Sequence, residues 1–126
     1  MILLDTHAFY WFITEDEKLP KNVKDVIEES EDVFISIVSF WEMAIKSSRG
    51  NLALPAPIGK LMSDCGEMDI SILPIGPHHL DRLADLPFIH KDPFDRLIIC
   101  QAMEEGMTIL TKDENIQKYD LETLWN

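Results

Sequence analysis

Four acidic residues, Asp5, Glu42, Asp95 and Asp113, lie after strand-like runs or early in helix-like stretches, from four separate parts of the chain. Asp5 directly ends the apolar run Met1-Ile2-Leu3-Leu4, and Glu42 sits among Phe40, Trp41, Met43 and Ala44. Asp95 follows Asp92-Pro93 at the start of a long amphipathic stretch, and Asp113 follows the β-branched segment Thr108 to Thr111 by two residues. Carboxylates are hard oxygen donors that suit Mg²⁺ or Mn²⁺, ions that keep several waters and act on phosphate substrates. Zinc would call for His and Cys at ligand spacing; neither Cys65 and Cys100 nor the four histidines supply it.

The elements that position these acids follow from the hydrophobic pattern. Met1 to Leu4, Val33 to Ser36, Ile70 to Ile75 and Thr108 to Thr111 read as short buried strands, with a possible edge strand ending at Trp125. Between them the spacing predicts helices over His7 to Ile13, capped by Thr6; Pro20 to about Ser30; from Ser39 to near Gly50; after Ile58; Pro77 to Leu86; and Phe94 to Glu105, closed by Gly106. A short helix is expected near Glu114 to Tyr119. Strands alternating with helices specify an α/β fold, with a mainly parallel central sheet of four to five strands flanked by helices. At 126 residues the chain is read as one domain, 1–126.

In such a sheet all strands point their C-terminal ends to one edge, where the following helices begin. Asp5, Glu42, Asp95 and Asp113 are therefore expected at one rim. Two like charges ~5 Å apart at an effective dielectric of ~20 repel by roughly 3 kcal/mol, and four close charges make six pairs. Their sum rivals the ~5–15 kcal/mol total stability of a domain, so they need counter-charge, and two divalent ions match four carboxylates.

Each acid also has a purely structural use. Asp5 and Asp113 fit helix caps or turns, Asp95 fits a capping-box partner, and Asp92 before Pro93 is best read as an N-cap. Thr6 and Ser39 suit capping better than donation to a carboxylate or phosphate. His90 could orient phosphate or hold a loop, and His78-His79 is given no role. Phe9, Tyr10, Trp11 and Phe12 read as core or as a partner-facing helix before they read as base-stacking groups. Lys46, Lys91, Arg96 and Lys112 lie near the acids in sequence; solvated surface charge is their default reading, and contact with a phosphate backbone the alternative.

Composition narrows the classes further. Lys and Arg number 11 against 23 Asp and Glu, a formal charge of −12, which argues against nonspecific nucleic-acid or membrane binding. Asp5 interrupts the apolar start and no run reaches the ~20 apolar residues of a membrane span. Together with two unpaired-looking cysteines this makes a cytoplasmic location the expectation and a membrane partner excluded. With no glycine-rich phosphate loop, nucleotide triphosphates and dinucleotides are not the ligand.

The segments Leu3 to His7, Ser36 to Lys46, His90 to Ile98 and Leu110 to Asp113 lie in the order of, and together resemble, the motifs of PIN-domain nucleases, in particular the VapC-type toxins of bacterial and archaeal toxin–antitoxin pairs. The resemblance spans the chain from end to end. It implies Asp5, Glu42, Asp95 and Asp113 as catalytic, metal-holding acids, Mg²⁺ or Mn²⁺ as cofactor, RNA as substrate, and a homodimer neutralised by a cognate antitoxin. The function it implies is a metal-dependent endoribonuclease of a type II toxin–antitoxin pair, cleaving single-stranded or structured RNA. The alternatives are a catalytically inactive interaction scaffold of the same fold and an aspartate-based phosphoryl-transfer enzyme using Asp5 as nucleophile. The latter lacks a second acid two residues after Asp5.

Overall fold

The computed structural model describes residues 1–125. Five strands, β1 (Ile2–Leu4), β2 (Val33–Ser36), β3 (Ile70–Leu73), β4 (Thr108–Leu110) and β5 (Thr123–Leu124), form one sheet in the order β3-β2-β1-β4-β5. All its pairings are parallel, with Leu4 opposite Ile35 on one side and Leu110 on the other. Six helices surround it: α1 (Thr6–Ile13), α2 (Lys21–Glu29), α3 (Ile37–Ser48), α4 (Ile58–Asp64), α5 (Pro77–Asp85) and α6 (Pro93–Glu105). The expected edge strand is β5, and the short helix near Glu114 is a single 3₁₀ turn, Ile116–Lys118.

Alternation along the strands divides the core in two. Leu4, Ile35 and Leu110 face one side, where they pack with Phe9 of α1, Val23 of α2 and Met43 of α3. Leu3 and Ile109 face the other, against Leu97, Ile98 and Cys100 of α6. Burial on both faces is why the strands read as continuous apolar runs. Phe9 is fully buried and meets Phe40 edge-on at 5.4 Å, so truncation to alanine is expected to cost about 3–5 kcal/mol. Both cysteines are free and buried, as the sequence implies.

Two helix starts differ from expectation. Asp5, not Thr6, caps α1: its Oδ1 accepts the Ala8 N–H at 2.8 Å. Ser36, not Ser39, caps α3, accepting the Val38 N–H at 3.0 Å, so that helix begins two residues before Ser39. For α1 the cap is the first residue past the strand and for α3 it is the strand's last residue, because strand and helix join almost directly. That junction releases Thr6 and Ser39 for other work. Asp92 is an N-cap as read from sequence, its Oδ1 accepting the N–H groups of Phe94 and Asp95 at 2.8 and 3.3 Å.

The strand order reverses between β1 and β4, each of which leads away from the other into the sheet's two halves. At such a reversal the crevice beyond the carboxyl ends of the two strands is where open parallel sheets bind ligands. Asp5 and Asp113 stand at that place in the chain. No helix among the described residues is long and apolar enough to cross a membrane.

Candidate functional site

Asp5 leaves β1 tied to the next strand, its N–H donating to the Leu110 carbonyl at 3.2 Å. Its carboxyl is buried, and burial raises its pKa above the usual range despite hydrogen bonds from the Thr111 side chain and the Ala8 N–H. The Thr111 hydroxyl oxygen also accepts the Asp113 N–H at 3.0 Å, so one buried threonine joins both acids of the crevice. Sequence reading passed over Thr111, whose only signal was its position between β4 and Asp113.

Glu42 lies on the second turn of α3 with only 2% of its surface exposed. The Thr6 hydroxyl donates to its Oε1 at 2.7 Å, and the Lys46 ammonium donates to Oε2 at 2.6 Å. Thr6 has a single hydroxyl proton, so its 2.9 Å contact with Ser39 has Ser39 as the donor. Ser39, Thr6 and Glu42 thus form a directed chain that fixes one carboxylate oxygen. Lys46 is held by an acid and is not a free RNA contact.

His90 organises the other half. Its Nδ1 accepts the Asp92 N–H at 3.1 Å, which places the ring proton of the neutral imidazole on Nε2. Nε2 faces Asp113 Oδ2 at 2.9 Å and Asp95 Oδ2 at 3.2 Å. Burial acts to raise Asp113, but the His90 hydrogen bond and the Asn115 N–H outweigh it and hold that carboxyl below the ordinary range. Asp95, at the longer contact with the same ring, gains too little from it to offset its surroundings. Burial, followed by the charges of Asp92, Glu42, Asp5 and Asp113, pushes it up to about 8.

The structure therefore brings together all four acids singled out from sequence, with Asp95 under the field of the other three. A single imidazole proton serves two of them, and one ammonium serves a third. His90, Asp95 and Asp113 place ligand atoms within 4.8 Å of one another, a span that one cation can bridge. Because His90 presents a proton rather than a lone pair there, the donors left for a cation are carboxylate oxygens. That set fits Mg²⁺ or Mn²⁺ better than zinc.

The reading of Arg96 as a cation open to phosphate is corrected, and the reading of the α1 aromatics as core is borne out. Arg96 is buried and points away from solvent: its guanidinium donates to the carbonyls of Leu86, Pro87 and His90, holding the 86–90 loop against α6. Helix α1 is chiefly core, since Ala8, Phe9 and Trp11 are buried; only Phe12 and Ile13 remain to line a groove of about 470 Å³ with Pro55, Ala56, Leu61 and Met68.

Comparison with known proteins identifies the family and the fold. The PIN domain family model matches residues 2–122. Ribonuclease VapC22 of Mycobacterium tuberculosis (strain ATCC 25618 / H37Rv) is 27% identical over 119 residues, 94% of this chain and 91% of that protein. Among solved structures, VapBC2 from Rickettsia felis bound to a DNA fragment from its promoter superposes with a TM-score of 0.74 at 16% identity, covering 100% of both chains. FitAcB from Neisseria gonorrhoeae does so with a TM-score of 0.65 at 21% identity, covering 98% of this chain and 96% of that one. At these identities the structural likeness is one of fold.

Proposed function

Because the chain belongs to the PIN domain family, we propose that it is a divalent-metal-dependent endoribonuclease in which residues 1–126 act as one nuclease domain. The observation that carries this reading is the state of Asp95. A carboxyl pushed up to about 8 by burial and neighbouring acids is a site short of positive charge.

Asp5, Asp95 and Asp113 would hold the ion, Mg²⁺ or Mn²⁺, with Glu42 completing the shell. When bound, such an ion supplies Lewis acidity toward water and toward the phosphate oxygens of an RNA strand. The chain's own residues prepare the place. Asp5 is fixed by the start of α1 and by Thr111, so its second oxygen has a set direction. Thr6 and Lys46 hold Glu42 in a single orientation, and His90 sets the approach of Asp95 to Asp113. Asp92 and Pro93 begin α6 so that Asp95 falls on its first turn, with the helix N-terminus adding positive potential beside the acid.

The fold shared with a toxin–antitoxin complex from Klebsiella pneumoniae, at a TM-score of 0.62 and 14% identity, supports a role as the toxin of a type II pair, restrained by a cognate antitoxin. The groove beside Phe12 and Ile13, rimmed by Glu15, Asp64 and the Lys24–Glu28 pair, is acidic on balance and suits an amphipathic helix with basic flanks. A homodimer and a cytoplasmic location belong to the same reading. The test is cleavage of labelled RNAs by purified, antitoxin-free protein with and without chelator. Metal-dependent cutting that Asp5→Asn abolishes is expected; cutting unchanged in chelator overturns the proposal.

A further inference from the structure

Asp5 and Asp113 also wall a cavity of about 420 Å³ whose other lining side chains are His7, Trp11, Lys18, Lys112 and Trp125. The three rings form a connected set. Trp11 stands between His7, at 5.5 Å and tilted, and Trp125, at 6.1 Å and edge-on. Trp11 is itself buried, with the Lys112 ammonium 4.9 Å from its ring centre, so it serves as floor. The exposed imidazole of His7 and the half-buried indole of Trp125 are the groups that still have surface to offer. Two ammonium groups beside two aspartates make this a locally balanced place in a chain of charge −12.

Resting on the nuclease reading above, we propose that this cavity receives the base of a nucleotide next to the cleaved phosphate, stacked on Trp125 and His7, with Lys18 and Lys112 meeting adjoining phosphates. The volume lies within the ~300–1,000 Å³ of ordinary ligand pockets. Its chemistry is that of single-strand recognition, which pairs flat rings for bases with cations for the backbone. An apolar peptide would leave Lys18 and Lys112 without anionic partners, and a free anion would leave the rings unused. Since Asp5 and Asp113 belong to both spaces, a strand whose phosphate lies at the acids has its neighbouring nucleotide at the cavity mouth. The subsite would therefore set where on a strand the enzyme cuts, whereas the acids set whether it cuts.

The test is an abasic scan. A labelled octaribonucleotide, and a series in which each base in turn is removed, are titrated in Mg²⁺ into Asp95→Asn protein, and binding is read by fluorescence anisotropy. Loss of the base at one or two positions is expected to weaken binding about tenfold. Trp125→Ala or His7→Ala in the same background should flatten that dependence, and Trp125→Phe should keep it. His7 is exposed, so its replacement serves where Trp125→Ala disturbs the core. A scan that is flat in the parent, or identical in parent and pocket variants, overturns the subsite. Cleavage of RNA by the unsubstituted protein with a flat scan leaves the nuclease reading standing without the subsite. A pocket-dependent scan with no cleavage does the reverse.

Discussion

Helix α6 has a histidine–carboxylate cluster at each end, separated by about 15 Å of helix at 1.5 Å a residue. At its start His90 meets Asp95 and Asp113; at its end His78 and His79 meet Glu105 at 2.8 and 3.1 Å. The residue types are nearly the same, yet the electrostatic outcome is opposite. Hydrogen bonds from His78 and His79 hold Glu105 below its ordinary range, although the last turn of a helix is unfavourable for an anion. Asp95, on the favourable first turn, is driven up to about 8 because burial and four other carboxylates act on it. Donors exceed acceptor charge at one end and fall short at the other. The excess, rather than the presence of His beside Asp or Glu, distinguishes a site that wants a cation from a clamp that joins two helices.

The largest consequence is for activity. Asp95→Asn should lower RNA cleavage by on the order of 10²–10³-fold or more, since it removes charge that the reaction depends on. Glu105→Gln should leave the rate within a few-fold, as its bonds only tie α5 to α6. Single-turnover cleavage assays of both variants decide this. A comparable loss in the two would mean that the far cluster takes part in chemistry and would end the contrast.

The next effect is on stability as a function of pH without metal. A carboxyl whose folded pKa lies near 8 and whose unfolded value is near 3.8 binds its proton more tightly in the folded state. Stability from that group is fully present below pH 4 and is lost as pH rises through the window from about 4 to 8, at up to about 1.4 kcal/mol per pH unit. Asn cannot ionise. In chelator, Asp95→Asn should therefore melt progressively higher than the wild type as pH rises from 5 to 8. Glu105 runs the other way: its lowered pKa supplies stability above its unfolded value that is lost on acidification. Saturating Mg²⁺ or Mn²⁺ should reverse the order of Asp95→Asn and wild type, because only the latter gains RT ln(1 + [L]/Kd) in full.

A smaller effect separates the two aspartates on one helix turn. Asp92 accepts two backbone N–H groups at the start of α6, so Asp92→Ala should cost about 0.5–2 kcal/mol of stability, with cleavage reduced only modestly. Chemical denaturation paired with the cleavage assay measures both. Equal catalytic collapse in Asp92→Ala and Asp95→Asn would move Asp92 from capping into the site.

What the sequence made legible follows from the same physics. The strands could be found because both faces are covered, which makes β1 and β4 continuous apolar runs; the four acids could be found because each sits at a strand end or a helix start. Hydrogen-bond direction was not legible. Thr6 and Ser39 look like caps in one dimension, but Asp5 and Ser36 already satisfy those N–H groups and leave the two hydroxyls to Glu42. Arg96 looks like a cation available for phosphate until the 86–90 loop folds its carbonyls onto the guanidinium. His90 gains its meaning only when the Asp92 N–H fixes its tautomer, a contact between residues two apart that no pattern of residue types reveals. Glu105 meets His78 and His79 across more than twenty residues, which left their pairing invisible.

The smallest expected effect is the sharpest check on the clamp. His79 Nδ1 accepts the Gly76 N–H at 2.9 Å, so its neutral ring carries the proton on Nε2, toward Glu105. To bind zinc through Nε2 the ring would have to shift that proton to Nδ1, where it would oppose the Gly76 N–H, donor against donor. The cluster has three ligand atoms at metal-binding spacing, yet its hydrogen-bond polarity works against ligation. His78 is 53% exposed, and His78→Ala should change stability by no more than about 0.5 kcal/mol, as for other exposed pairs. Melts of wild type and His78→Ala across a Zn²⁺ titration should then shift together, any rise coming from the acid rim that both proteins share. A rise confined to the wild type would show that the helix ends in a second metal site, and that hydrogen-bond polarity is a weaker guard against ligation than the His79 geometry implies.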